Sequence, residues 1–209
     1  MTIANQERFN KAIACFDALN KQDPNRENVD GQDYPKELLY ALRMSAMLNR
    51  YLADASETLQ LATRCQHIQR WKIARASYPM TKPAYHQWRN DLKVFHATTA
   101  QTVLSEAGYD EKLIAQVCSL VKKEAPKTNA ETQVLQDVIV LVFLESYLEA
   151  FVAEHSDYDE AKFVDILTKT LRKMSNKARL ATLKILNLPT ALAPLIVPLI
   201  QHLIDQENT

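Results

Sequence analysis

Two histidines and an aspartate, His67, His96 and Asp137, are the residues whose types suit chemistry. Imidazole nitrogens and carboxylate oxygens are natural ligands for zinc, manganese or iron, so convergence of the three would make a divalent transition-metal site. A basic, aromatic stretch surrounds the histidines. Residues 64–93 hold Arg64, Arg70, Lys72, Arg75, Lys82, Arg89 and Lys93 against a single acid, Asp91. Within it, Arg70, Trp71, Arg75, Tyr78, Trp88 and Arg89 form a candidate ligand-binding set. Guanidinium forks match phosphate and carboxylate, and aromatic rings flank a base or sugar. The expected ligand is a small anionic or phosphorylated metabolite, a nucleotide among the candidates. A bound metal would activate water for phosphoester hydrolysis while the arginines stabilise developing negative charge.

Each of these residues also has a plainer reading. The aromatics serve equally as core or rim residues, and the arginines as a solvated face pairing with the acidic block at 145–165. His96 shares the apolar stripe of its helix with Leu92, Phe95, Thr99 and Val103, where a histidine is commonly just hydrogen-bonded. Asp137 enters the most apolar helix of the chain and must be hydrogen-bonded, ion-paired or metal-bound, because burying a lone carboxylate is prohibitive. On this alternative the protein is a non-catalytic helical binding or scaffold protein, with the apolar segment 188–204 docking a partner or a second copy. A third reading, an RNA-binding module on the 64–93 surface, sits poorly with 25 basic and 25 acidic residues and zero net charge.

Composition narrows the fold. Only Gly31 and Gly108 occur in 209 residues, too few for a doubly wound sheet, a β-sandwich or a phosphate-cradling loop. Helices joined by short turns are expected: an all-α, single-domain helical bundle of about eight or more helices over residues 1–209. Cys15, Cys65 and Cys118 are isolated, which points to a reducing, cytoplasmic setting rather than a disulfide or zinc framework. The polar start MTIANQERFNKA lacks the apolar run of a signal peptide, and no segment suits a membrane span. No GxSxG, CxxC, HExxH or P-loop pattern occurs.

The elements that must position the candidates follow from periodicity and punctuation. Helices are expected over 5–20, from 36 to about 52, from Ser56 as N-cap to about Trp71, and from about His86 to Ala107 before Gly108. Others are expected from Asp110 to about Lys123 with Pro126 ending the region, and over 129–154, 159–174, 176–187 and 188–204. Lys21–Tyr34 reads as a polar loop with turn signals at Asp23-Pro24 and Asp30-Gly31. Residues 72–85 read as an irregular connector around Pro79 and Pro83. A continuous helix through Arg64, His67, Arg70 and Trp71 would place all four in one sector.

Several stretches taken together resemble a known family: DALNKQDPN (17–25), KELLYALRMS (36–45), LATRCQHIQRWKIARASYPM (61–80), YHQWRNDLKVFHA (85–97), LQDVIVLVFLESYLEAF (135–151) and KTLRKMS (169–175). The pattern is similar to a widespread domain-of-unknown-function family sometimes labelled as a glutamyl-tRNA synthetase, and it spans roughly residues 8 to 190. The residues show no adenylate-binding motif that would support that label. The family pattern has proline before the second arginine of the RW…R stretch, where this chain has Ala74. The resemblance implies the same site candidates and no substrate. The order His67, His96, Asp137 also resembles HD-type phosphohydrolases, all-helical metal enzymes in which a His, a His-Asp dyad and a distant Asp hold the ion. Here Ala97 follows His96 and Asp91 lies five residues away, so one ligand of that pattern is missing, and the ion is then held loosely, held by another residue such as Glu131, or absent.

Overall fold

A computed structural model of the protein describes residues 3–124 and 129–207, and Pro126, expected to end one helical region, lies outside them. Apart from one short hairpin the regular elements among the described residues are helices, in keeping with the scarcity of glycine. Their contacts cluster into two compact units, Met1–Pro126 and Lys127–Thr209, although no linker composition marks the junction.

The first unit contains α1 (Gln6–Asn20), β1 (Arg26–Val29), β2 (Gln32–Pro35), α2 (Lys36–Tyr51), α3 (Glu57–Cys65), α4 (Lys82–Ala107) and α5 (Glu111–Lys122). Helix α4 packs on α1 and α5, and α3 on α1, α2 and α5. Phe16, Met44, Met47, Leu48, Leu59, Leu61, Leu104 and Leu120 form its core, each at most 2 % exposed. The helix ends are set by local chemistry. The side chains of Asn5, Ser56, Thr81 and Asp110 each accept a hydrogen bond from a first-turn amide. Gly108, at φ +88°, closes α4 in the left-handed conformation that other residues reach only at a cost.

Three sequence expectations change here. Residues 21–34 are not all loop: β1 and β2 pair antiparallel with Val29 opposite Gln32. Asp30 and Gly31, both at positive φ, supply the two-residue turn whose twist suits a hairpin. The third helix ends at Cys65 rather than Trp71. Beyond it the buried Asn20 side chain accepts from the Gln69 amide at 2.9 Å, with Gln69 held at φ +50°. Short 3-10 turns follow at Arg70–Lys72 and Arg75–Ser77. Arg64 and His67 therefore do not share one helical sector with Arg70 and Trp71. Finally, α4 begins at Lys82, because proline within the first helical turn has no intrahelical donor to lose.

The second unit contains α6 (Ala130–Ser146), α7 (Leu148–Glu154), α8 (Glu160–Leu171), α9 (Asn176–Ile185) and α10 (Ala193–Glu207). Tyr147, with φ −128° and ψ −13°, separates α6 from α7, where a single helix is expected from periodicity. The apolar run 138–144 is indeed helical and mostly buried. Helix α10 packs on α8 and α9 and buries Ile196, Ile200, Leu203 and Ile204. Among the described residues no helix is long and apolar enough to cross a membrane.

Arg64, in the last turn of α3, ties that helix to α1 and α2. Its guanidinium is 9 % exposed and grips Asp17 with two bonds of 2.8 and 2.7 Å, with a further bond to the Ser45 hydroxyl. Removing one partner of such a pair strands a buried charge. Asp17→Ala is expected to destabilise the protein by about 3 kcal/mol in urea denaturation. A loss below about 0.5 kcal/mol would place Arg64 outside the stabilising framework.

Candidate functional site

Within the first unit, the turn after α3, one face of α4 and the end of α5 enclose a cleft. The turn contributes Gln66, His67 and Arg70; α4 contributes Arg89, Leu92, Lys93 and His96; the end of α5 contributes Val121 and Lys123. Positions 89, 92, 93 and 96 share a face because three- and four-residue spacings return to the same side of a helix. The free interior is about 20 Å³, room for about one water-sized group, below a wider mouth.

His96 forms the floor. It is 3 % exposed, and its Nδ1 lies 2.8 Å from the Ile68 carbonyl oxygen. A carbonyl only accepts, so Nδ1 carries the proton and Nε2 presents a lone pair. That Nε2 is buried and has no hydrogen-bond partner among the described residues. Desolvation pushes the His96 pKa down to about 4; the Ile68 bond opposes this, and the charges of Arg70 and Lys123 add to it.

His67 stacks on Tyr40, ring centres 4.4 Å apart, and its ring centre lies 5.8 Å from that of His96. Burial first, then Arg70, holds it neutral well below the usual histidine range. Its Nδ1 is 3.8 Å from Glu37 Oε2, beyond hydrogen-bond reach. Glu37 itself is 9 % exposed, and burial raises its pKa to about 7 against the opposing pull of Arg70.

The cationic rim is held by aromatic rings and by the connector. The Arg70 guanidinium lies 4.8 Å from the centre of the Trp88 ring and makes no hydrogen bond among the described residues. Trp88 is in turn fixed by its indole N–H, which donates to the Ile73 carbonyl at 2.9 Å. Arg89 donates to the Tyr85 hydroxyl at 3.2 Å. Lys93 has no ion-pair partner among the described residues.

Of the residues singled out by sequence, the structure brings His67, His96, Arg70 and Arg89 to this cleft. Arg75 instead donates to the Tyr78 and Pro79 carbonyls and closes the connector. Tyr78 donates its hydroxyl to Asp91 at 2.8 Å, tying that connector to α4. Trp71 is half-buried, with no hydrogen bond or ring contact among the described residues. Asp137 belongs to the second unit. There it is 1 % exposed and accepts from Gln133 Nε2, the Ser175 amide and, at 2.6 Å, the Ser175 hydroxyl. Ser175 caps α9, so Asp137 anchors that cap.

A zinc, manganese or iron site needs at least three converging donors. Among the described residues no group of three or more His, Cys, Asp or Glu side chains is placed to hold a metal ion. The cleft supplies two imidazoles and an offset carboxylate, a donor set that does not by itself fit such a site. Sequence reasoning counted Lys93 only within the basic stretch and passed over Lys123, Gln66, Tyr40 and Glu37. Lys93 was legible, standing four residues after Arg89 and three before His96 on one helix. Glu37 and Tyr40 carried no signal, since tertiary packing of α2 alone brings them to His67.

One family model matches the chain, over residues 10–196: a domain of unknown function, DUF4202. The protein belongs to this DUF4202 family. No protein of curated function and no solved structure matches it. The match runs through both units of the DUF4202 chain and includes every residue of the cleft.

The Glu37 shift has a sign that denaturation can read. A carboxyl group whose folded pKa lies above its unfolded value stabilises the fold less as pH rises from about 4.5 through about 7. Glu37→Gln is therefore expected to match the unaltered protein below pH 4.5 and to exceed it by about 3 kcal/mol at pH 8. Equal stabilities at pH 8 would show that Glu37 ionises without penalty. Nitrogen-detected NMR of His96 is expected to show protonated Nδ1 and bare Nε2 at neutral pH, with a titration midpoint of about 4; a midpoint near the usual histidine value would contradict the burial.

Proposed function

We propose that this cleft binds the anionic group of a small phosphorylated metabolite. The observation that carries the reading is the charge balance at the mouth. Arg70, Arg89, Lys93 and Lys123 line one small concavity whose described lining includes no acid, and Glu37, beside His67, is half protonated near neutral pH. Clustered cations that face one hollow raise the local concentration of anions, and guanidinium groups give directional hydrogen bonds to phosphoryl oxygens. The narrow interior admits one oxygen of a tetrahedral anion while its other oxygens meet the rim, and the remainder of the metabolite extends into solvent.

Both histidines enter this reading as neutral hydrogen-bonding groups. Trp88 beneath Arg70 holds the guanidinium in place before the ligand arrives, which reduces the ordering cost of binding. Arg75 and Tyr78 support the site through the connector rather than by contact.

Titration calorimetry with inorganic phosphate at low ionic strength tests the proposal. Binding is expected in the micromolar to low-millimolar range, and raising salt to about 0.5 M should weaken it as the charges are screened. Arg70→Met and Lys93→Ala should each weaken it about tenfold, the loss of about 1.4 kcal/mol expected for one charge-assisted contact. Lys72→Ala, a charge outside the cleft, should change it less than twofold. Absence of binding at 10 mM phosphate, or equal losses in all three variants, would refute the assignment.

A further inference from the structure

His96 carries an inference that deepens this reading and rests on it. An anion site built from cations alone accepts any tetrahedral oxyanion of suitable size. This one has an acceptor at its floor. The Ile68 carbonyl accepts the Nδ1–H hydrogen bond, so Nε2 keeps a lone pair on a cleft-lining side chain that is 97 % buried, with no partner among the described residues. Whatever fills the interior must donate a hydrogen bond to Nε2. An unprotonated oxygen placed there would set lone pair against lone pair and leave a buried acceptor unpaired, a penalty of about ten- to a hundredfold in affinity.

We propose that His96 makes this a site for oxyanions that carry a proton on the inward oxygen: inorganic phosphate, or a phosphomonoester in its monoanionic form, in preference to sulfate. Phosphate retains a P–OH through neutral pH, whereas sulfate has none to offer. The Nε2 lone pair accepts from that hydroxyl while Arg70 and the rim lysines bind the charged oxygens. No proton changes owner.

The alternative is that His96 takes up a proton and greets any anion as an imidazolium. The groups facing it resist this. Arg70 and His67 stand on the turn after α3, Arg89 and Lys93 on its own helix, and Lys123 at the end of α5. Glu37 on α2 stands beside His67 and interacts with Arg70, and is not among the cleft-lining residues. Burial and these positive neighbours keep the ring neutral.

Calorimetry on the full chain at pH 7 with phosphate, arsenate and sulfate, each in two buffers of different ionisation enthalpy, decides the matter. Phosphate and arsenate, which both carry a hydroxyl, are expected to bind within about threefold of one another. Sulfate should bind at least tenfold more weakly, and phosphate binding should not draw a proton onto the protein. His96→Gln, whose amide can turn its NH2 inward, should bring sulfate to within about threefold of phosphate. Should that variant not fold, a pH series on the unaltered protein replaces it. Glycerol phosphate should lose affinity relative to inorganic phosphate by about tenfold per pH unit above its second pKa of about 6. Equal binding of sulfate and phosphate, or sulfate binding with uptake of one proton, would overturn the inference while leaving the anion site standing. If none of the three anions binds, both readings fall.

Discussion

The contact between His96 Nδ1 and the Ile68 carbonyl is the constraint on which the site depends. It joins α4 to the turn after α3, two segments far apart in sequence, inside a core where neither group has water as an alternative. Because the carbonyl can only accept, the bond also decides which ring nitrogen carries the proton. One backbone oxygen thereby joins the helix to the turn, settles the tautomer and leaves the lone pair on Nε2 of a cleft-lining ring. A buried bond of this kind is modest in net energy but expensive to leave unmade, so it acts as a specification of geometry more than as a source of stability.

The rest of the site gathers positive charge on a lining that includes no carboxylate among the described residues. Arg75, Tyr78 and Trp88 spend their polar atoms within the connector or on α4, which ties that segment to the helix as a shelf. Arg70 stands on the shelf over the Trp88 ring, where the aromatic face offers attraction but no neutralising charge. By contrast, Arg64, only six residues earlier, is consumed by Asp17 and Ser45. Two arginines of one basic stretch thus have opposite fates, and the difference lies in whether a carboxylate from α1 reaches them.

Asp137 shows the same logic in the second unit. A carboxylate buried among apolar side chains must have its oxygens satisfied, and Ser175 and Gln133 do this. The carboxylate in turn holds the residue that caps α9. Its burial is therefore explained by the architecture of that unit.

Much of the fold was legible in local chemistry. Two glycines in 209 residues excluded sheet-rich architectures, and Ser56, Asp110 and Gly108 marked helix ends through hydrogen bonds and backbone freedom that act within a few residues. Asp30-Gly31 carried the hairpin turn as well, hidden only by the polarity of its short strands. The concentration of positive charge over 64–93, and the shared face of Arg89 and His96, were equally present in the chain as written. What tertiary structure alone decided was where α3 stops, since the Asn20 side chain that bonds to the Gln69 amide comes from another helix. The earlier end leaves Arg64 inside α3 and puts His67 and Arg70 on the turn beyond it. It likewise took packing to place Glu37 beside His67 and to give Asp137 its partner in Ser175. Periodicity and capping report interactions spanning a turn or two, whereas the ionisation and exposure of a buried group depend on neighbours that only the folded chain supplies.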